Sequence, residues 1–366
     1  GGGVPRVHVQ DRRSDFAAAA LDTLSLRAGV KLERPHPATR DMGRMSMLDI
    51  ATQCLRNVGI NPDRMSATRV FNTAFTHTTS DFPGIAGDLF ERILMTSYQG
   101  EPDTSAGWTV TSELRDFREV SRVRFSEAPD LEFVPEGAEI TFASFNERVE
   151  RYRLSTYARA FSVTRQLLLN DDLQAFADLP ASFGRAARRR HLDNVWAVVT
   201  GNPAMSDGEN LFSAAHGNDL TPAALSLESL TAARLAMRTM KGEAGKVTLN
   251  LIPRFLLVPA SLEGTAEALV SSLIPPGSTT ATPSLQFIRN LEVVCEPRLD
   301  EASTTAWYLA CDPAQLQSIE QGFLGGVPFE IEEKTGFDVD GIAWKVRSDH
   351  AAAPLEWRSI VRNAGA

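Results

Sequence analysis

The chain has 366 residues, 43% hydrophobic and 23% charged, with a net charge of −9 and a pI near 5.3. That length exceeds one average domain and allows two packed units or one domain with large excursions, which excludes a small stapled scaffold. No run reaches the roughly eighteen apolar residues of a membrane-spanning helix, and the acidic balance argues against a protein that wraps or tracks nucleic acid by its phosphates.

The chain begins Gly1-Gly2-Gly3 with no initiator methionine and no signal-peptide core, an end that processing or the manner of production would each leave. Up to about residue 80 the pattern is broken. Ala17 to Ala20 lead a short helix, Pro35 and Pro37 interrupt the next stretch, and Ser46 caps a helix with Met47, Leu48, Ala51, Leu55 and Val58 on its apolar side. This region reads as an extended arm with small helices. A further helix is expected over about 83–98, started by Asp81 and Pro83, with Ile85, Leu89, Ile93 and Leu94 at helical spacing and Gly100 and Pro102 at its end.

Between 108 and 163 the period changes to two. Phe117, Val123 and Phe125 alternate with Arg118, Arg122 and Arg124, a Pro-Glu-Gly turn follows at 135–137, and a second alternating run passes through Arg151, Arg153, Tyr157 and Phe161. From 113 to 153 there are seven arginines and ten acids, interleaved, and no lysine. Such a two-stranded excursion is marginal by itself in water. Its mixture of both charge signs, with arginine favoured for bidentate pairing, fits a ribbon that lies on another copy of the chain and selects register there. The residues expected to make those contacts are Arg115, Arg118, Arg122, Arg124, Glu127, Glu132, Glu136, Arg148, Arg151 and Arg153. The plainer reading is a solvated ribbon.

A short helical segment is expected after Asn170-Asp171-Asp172 and a long helix over about 180–200, with Phe183, Ala187, Leu192, Val195, Trp196 and Val199 on its apolar side and Gly201-Asn202-Pro203 as its stop. Its cluster Arg185, Arg188, Arg189 and Arg190 spreads round more than one face, so ion pairing with a neighbouring element or subunit is preferred to a DNA-contacting face. After a Gly-, Asn- and Asp-rich loop to 222, helices are expected over 227–240 and 260–273. Strands are expected over 255–258, 291–295, 307–311, 329–333 and 342–347, with an exposed loop over 274–283. The pattern is mixed α+β, without an internal repeat.

Catalytic motifs are weak. Gly242-Glu243-Ala244-Gly245-Lys246-Val247 has two residues between its glycines where a phosphate loop needs four, and Gly322, Gly325 and Gly326 lack the strand–glycine–helix setting of a dinucleotide site. No two of the six histidines stand at helical metal spacing, and no nucleophile elbow occurs. Cys54, Cys295 and Cys311 read as core thiols. Asp349-His350 could be two thirds of a hydrolase triad, but a solvated turn after a strand is the simpler expectation. No metal or cofactor is expected, and a soluble oligomeric hydrolase is the weakest alternative.

Four stretches carry a family resemblance: Asp81-Phe82-Pro83-Gly84-Ile85 opening a helix, the run YARAFSVTRQLLLNDD over 157–172, Leu211-Phe212-Ser213-Ala214-Ala215-His216-Gly217-Asn218, and the ending over 340–363. In this order the chain resembles major capsid proteins of tailed bacteriophages with the Hong Kong 97 fold, in particular the Mu-like major head subunit branch. The resemblance runs from about residue 81 to the C-terminus; the first eighty residues match only in character.

It implies an α+β capsid fold. The N-terminal arm would be 1–80, the peripheral domain 81–107, 154–226 with its long spine helix, and 322–366, the extended β-hairpin loop 108–153, and the axial domain 227–321. His216 would sit in a structural loop. Function would be structural and not enzymatic: self-assembly as pentamers and hexamers into an icosahedral shell enclosing double-stranded DNA, with no sequence-specific binding and no membrane. The other partners would be a portal, a maturation protease that removes an upstream segment, and a decoration protein. The subunit would assemble in the bacterial host cytoplasm and end in the virion capsid. A gene-transfer particle or an encapsulin-like compartment is the nearest alternative. Some relatives weld subunits from a lysine in the extended loop; with no lysine between Lys31 and Lys241, locking is expected to be non-covalent.

Overall fold

A computed structural model describes residues 7–76, 81–125, 147–164, 173–243, 245, 247–271, 286–335 and 341–366. In chain order the helices are α1 (Val7–Arg27), α2 (Thr39–Met42), α3 (Met47–Asn57), α4 (Ala67–Thr76), α5 (Phe82–Gly100), α6 (Leu173–Gly201), α7 (Leu227–Thr239), α8 (Glu263–Ser271), α9 (Gln286–Arg289) and α10 (Arg298–Ala302). The strands are β1 (Val110–Leu114), β2 (Val120–Phe125), β3 (Glu147–Tyr152), β4 (Ser155–Thr164), β5 (Asp219–Leu220), β6 (Pro253–Val258), β7 (Glu292–Cys295), β8 (Trp307–Cys311), β9 (Ile319–Leu324), β10 (Glu330–Thr335), β11 (Gly341–Pro354) and β12 (Ile360–Asn363). The architecture is mixed α+β, as the alternating periods predict. Two compact units divide the chain: Gly1–Pro102, Thr156–Arg189 and Pro328–Ser348 form the first, Asp103–Ser155, Arg190–Val327 and Asp349–Ala366 the second.

In the first unit the region expected as an arm with small helices carries the helices α1 to α4. Ser46 and Asp49 close a reciprocal capping box, with Asp49 N–H donating to Ser46 Oγ at 3.1 Å and Ser46 N–H to Asp49 Oδ2 at 2.9 Å, so α3 starts where its sequence says it should. Helical spacing then buries Ala19, Ala20 and Leu24 of α1, Ile50, Cys54 and Leu55 of α3, and Phe71 and Ala74 of α4 against α5. Arg13 grips Asp81 at the start of α5 at 3.0 Å, and Arg92 grips Asp22 at 2.7 Å. The two prolines that look like arm sequence lie in the α1–α2 connection and leave the helices intact.

Aromatic packing completes this core. Phe90 of α5 stacks on Phe161 of β4 and on Trp344 of β11, with ring centroids 5.1 and 5.4 Å apart. The first part of β11 pairs antiparallel with β10, placing Glu332 opposite Lys345 and Glu330 opposite Arg347 as charged cross-strand pairs. Helix α6 begins here with Pro180 inside it, seven residues upstream of the expected start.

The second unit is organised by the sheet order β5-β12-β8-β6-β7. Its central strands are nearly continuous apolar runs, Phe255 to Val258 and Trp307 to Cys311, buried on both faces as such runs require. Trp108 and Trp196, with centroids 5.1 Å apart, share this core with α7 and β12. A second layer carries β1 parallel to β9, and β9 antiparallel to residues 350–354 of β11. Strands β5, β9 and β12 have no two-residue alternation and were outside the sequence expectation.

Glycine at 184 marks the closest helix approach of the first unit, where an added Cβ would clash with the Leu94 carbonyl oxygen and lie 3.0 Å from Tyr98 N. Gly184→Ala should therefore cost about 1–3 kcal/mol through overpacking. Gly264→Ala in α8, where nothing lies within 4 Å, should be neutral or stabilising by up to about 1 kcal/mol. Thermal denaturation of both variants checks the contrast.

Candidate functional site

The second unit carries the β2–β3 hairpin, paired in the register Val120↔Tyr152, Arg122↔Glu150 and Arg124↔Arg148. Directly opposed residues share a face, so Val120, Arg122, Tyr152, Glu150 and Arg148 lie on one side, and Ser121, Val123 and Arg151 on the other. The first side is fixed to the body by charge. Arg122 makes a bidentate pair with Glu320 of β9, its Nε donating to Oε2 at 2.8 Å and Nη2 donating to Oε1, while Nη2 also reaches Ser112 Oγ at 3.1 Å. The Glu320 side chain is 4% exposed, so this arginine neutralises a buried carboxylate. The Glu320 hydrogen bonds raise the Arg122 pKa against the opposing effect of burial, which keeps the guanidinium charged.

Beside this pair the root is packed as well as charged. Tyr152 and Leu154 form a small apolar cluster with Leu114 and Ala353. Gly322 is required beneath them: a Cβ there would meet Leu114 Cδ1 at 2.6 Å and Tyr152 Oη at 3.0 Å. Burial pushes the Tyr152 phenol pKa up.

The other root strand is held by a longer network. Glu150, buried at 8% exposure, accepts from Ser206 N–H at 3.1 Å and Ser206 Oγ at 2.5 Å. Arg148 donates to Asp207 at 3.0 Å and to Glu243 at 2.9 Å. Asp207 also meets His216 Nε2 at 2.9 Å, and Glu243 accepts from Arg358, which pairs with Glu356 at 2.8 Å. Trp357 joins the two branches: the His216 ring stacks on it at 4.2 Å and the Arg358 guanidinium lies 4.0 Å from its centroid. Partial burial works against the Asp207 carboxylate, but hydrogen bonds from His216 and Glu209 N–H and the Arg148 charge outweigh it and hold its pKa below the usual range.

Of the ten hairpin residues singled out from sequence, Arg122 and Arg148 thus have acids of their own chain as partners. Arg115, Arg118, Arg151 and Arg153 are exposed; Arg118 lies 3.8 Å from Asp116 and Arg151 3.9 Å from Glu119, distances of little energetic weight in solvent. The backbone of Arg124 lies in β2. Glu127, Glu132 and Glu136, with the expected turn at 135–137, lie outside the described residues, as does the loop over 274–283. On α6, Arg188 lies over the Tyr98 ring at 4.0 Å and donates to its carbonyl at 3.3 Å, while Arg185, Arg189 and Arg190 are exposed. Sequence reasoning missed Glu320, Asp207, Glu243 and Arg358. The available signal was Glu320 itself, an acid inside the otherwise apolar and small run Ser318-Ile319-Glu320-Gln321-Gly322-Phe323-Leu324, where burial demands a cation.

His350 is not in a solvated turn. It lies in β11, 2% exposed, with its Nε2 2.8 Å from Asn194 Nδ2 and its ring 4.2 Å from that of His191. Asp349 precedes it in the same strand and so points to the opposite face, which separates the two groups of the imagined dyad. Burial and the nearby Asp81 charge push the Cys54 thiol up to about 12, and burial pushes Cys311 to about 12 as well, so neither is a thiolate. Among the described residues no group of three or more His, Cys, Asp or Glu is placed to hold a metal ion, and no helix is long and apolar enough to cross a membrane.

A family model described as phage capsid protein matches residues 147–363. Similar solved structures include one from Mycobacterium phage Cain, 14% identical over 73% of this chain and 91% of that one with a TM-score of 0.45. The capsid of cyanophage P-SCSP1u is 9% identical over 71% and 87% with a TM-score of 0.48. The virus-like particle from Pyrococcus furiosus is 10% identical over 75% and 97% with a TM-score of 0.44. No curated protein matches the chain in sequence.

The hairpin anchors have separable signatures. Arg122→Ala leaves Glu320 buried without its cation, a loss of roughly 2–3 kcal/mol after allowing for the partial exposure of the arginine. Amide exchange over Val120–Phe125 and Glu147–Tyr152 should accelerate by at least about tenfold, with Trp307–Cys311 unchanged. For Asp207, a lowered folded pKa means that its contribution is complete above the unfolded value of about 3.9 and is lost as pH falls through the lowered one. The stability gap between the wild type and Asp207→Asn should be widest at neutral pH and close below about pH 4, as read by urea denaturation at several pH values.

Proposed function

The chain belongs to the phage capsid protein family, and from that premise we propose that it is the major capsid subunit of a tailed phage, with the Hong Kong 97 fold and closest in character to the Mu-like branch. In this reading pentamers and hexamers of the chain close an icosahedral shell around double-stranded DNA, in the bacterial host cytoplasm, as the wall of the virion. The role is structural, not catalytic. A portal, a maturation protease that trims an upstream segment, and a decoration protein are the partners such a subunit meets.

The observation that carries the reading is the hairpin. Its root is fixed on one face by Arg122–Glu320 and Arg148–Asp207/Glu243, while Arg118, Arg151 and Arg153 stay exposed, beside Phe117 and Val123, each 49% exposed. A two-stranded ribbon spends that much anchoring usefully only if its outward groups meet something. A second copy fits, because head-to-tail contacts among identical chains close into rings, and arginine with interleaved acids selects register. The net charge of −9 suits a container, since a wall that repels phosphate lets a packaged genome slide.

Negative-stain microscopy on the native material, with a denaturing gel run without crosslinkers, tests this. Closed angular shells that dissolve to one band near 39.9 kDa are expected; a ladder would overturn non-covalent locking, and small discrete oligomers without shells would overturn the capsid reading. Nuclease-protected DNA inside the particles is expected, whereas DNA-free particles holding a protein cargo would make the chain a compartment. A precursor heavier than the particle-borne subunit by mass spectrometry is the expected sign of trimming. The triple reversal of Arg118, Arg151 and Arg153 to Glu should cut particle yield by at least about tenfold with the subunit's melting unchanged. Normal particles from that variant would remove the hairpin arginines from assembly.

A further inference from the structure

Where α1 ends and α2 begins, the first unit holds a cleft of about 690 Å³, within the size range of sites for small organic molecules. Its lining carries two guanidinium groups, Arg27 and Arg40, and no acid, in a chain whose net charge is −9. Arg40 is exposed and has no hydrogen bond or ion pair among the described residues. Glu33 and Asp41 are the acids of this stretch, and neither lines the cleft. Asp22, which accepts from His36 N–H at 2.8 Å, does not cancel the two arginines, because Arg92 already holds it at 2.7 Å. Two cations in a concave wall without a compensating acid select an anion.

The donors are set before any ligand arrives. Arg27 Nη1 donates to the Met45 carbonyl at 2.5 Å, which pins that guanidinium to the chain beyond α2. His36 Nδ1 accepts from Ala38 N–H at 3.3 Å, so the neutral ring carries its hydrogen on Nε2, a further donor in the lining. Thr39 is an independent sign of a missing partner: it is 7% exposed, lines the cleft, and its hydroxyl has nothing to bond to among the described residues. The opposing influence is the negative end of α1. It is blunted, because the carbonyls of Leu24, Ser25 and Leu26 are taken by the N–H groups of Ala28, Val30 and Gly29, where Gly29 turns the chain at a φ of +85°.

Charge and size decide the class of anion. A carboxylate offers one charge and two oxygens, and would leave one guanidinium unanswered. A phosphate monoester brings a charge of about −1.5 to −2 and three acceptor oxygens, which match two guanidiniums, an imidazole N–H and a hydroxyl. The phosphate occupies only part of the space, and the rest of the lining is apolar: Leu26, 42% exposed, with Pro35, Pro37 and Gly43. An attached group of ring size completes the fit. We propose that the α1–α2 cleft binds a small organic phosphate of mononucleotide size, its phosphate toward Arg27, Arg40, His36 and Thr39 and its ring against Leu26 and the two prolines. This goes beyond the capsid reading and does not depend on it. The consequence for the fold is local: a bound ligand ties the end of α1 to α2 across the connection that holds both prolines, and stabilises the first unit in proportion to its occupancy.

Adenosine 5′-monophosphate is the probe, titrated calorimetrically into the full-length chain, with adenosine and inorganic phosphate as its two halves. Saturable one-to-one binding of the monophosphate is expected, and each half should bind at least about tenfold more weakly. Arg40→Ala, at an exposed position, should weaken binding by at least about tenfold while the melting temperature of the unliganded chain stays unchanged. Thr39→Val, which keeps the shape and removes the hydroxyl, should weaken it by about three- to tenfold. Lys31→Ala removes a base of the same stretch that is outside the lining, and should change binding by less than about twofold. Equal losses from Lys31→Ala and Arg40→Ala would mean diffuse charge attraction and overturn the site, as would no saturable binding up to about 10 mM monophosphate. A DNA duplex of about twelve base pairs that binds and is not displaced by the monophosphate would assign these bases to a nucleic-acid backbone, and would equally overturn it. None of these outcomes bears on shell formation, which microscopy reads separately.

Discussion

The structure of the second unit turns on a single buried carboxylate. Glu320 sits in β9 between β1 and the last part of β11, at a position that a sheet interior would ordinarily give to valine or leucine. A carboxylate there is tolerable only with a cation and good geometry. Arg122 supplies both because a guanidinium presents two parallel N–H groups to the two oxygens, which an ammonium does not. The pair adds little stability over an apolar equivalent, since desolvation consumes most of its Coulomb energy. What it adds is position: only one register of the hairpin brings residue 122 over residue 320. A one-residue slip would turn Arg122 to solvent and bring Ser121 or Val123 over the acid. The glycine two residues along, Gly322, works in the same direction by admitting Leu114 and Tyr152 where any side chain would lift them.

The second anchor works by distribution. Arg148 divides its donors between Asp207 and Glu243, and each acid has another partner, the His216 imidazole or the Arg358 guanidinium. Both of those rest on Trp357, next to the short turn that leads into β12. A chain of charged hydrogen bonds of this kind transmits position better than it stores energy, since every member is oriented by two neighbours. The hairpin root is thereby tied to the strand that closes the main sheet. Neither anchor alone fixes the angle of a two-stranded ribbon; two on opposite strands do.

How much of this was legible in the sequence follows from what each signal depends on. The Ser46–Asp49 cap, helix α5 and strand β8 were readable because local rules decide them: a cap, a helical stripe, a run of apolar residues. The hairpin was readable from its period, and the preference for arginine over lysine pointed to bidentate partners without naming them. Those partners were hidden, because Arg122 and Glu320 are 198 residues apart and only the fold brings them together. The small helices of the N-terminal region were legible, but their packing was not, because Pro35 and Pro37 dominate a composition whose buried members, Ala19, Ala20 and Leu24, are small or widely spaced. His350 read as part of a turn after a strand, yet it continues β11, and Ala351, Ala352 and Ala353 pair with Gly322, Gln321 and Glu320 of β9, where small side chains leave room for the hairpin root.

The distribution of charge along the chain has a consequence for how such a subunit reconciles solubility with association. A net charge of −9 keeps free copies apart at long range, and this repulsion falls off over a Debye length of about 8 Å in physiological salt. Within that distance the local arrangement takes over. In the sequence, acids without an intervening base are concentrated at 126–146 and bases at 27–44, while Arg122 and Arg148 are paired with Glu320, Asp207 and Glu243. Internal pairing of Arg122 and Arg148 holds the ribbon by charges that each copy supplies to itself. Specificity in this arrangement comes from the few places where the chain departs from its own average, and those places are fixed by buried pairs formed within each copy before any second copy arrives.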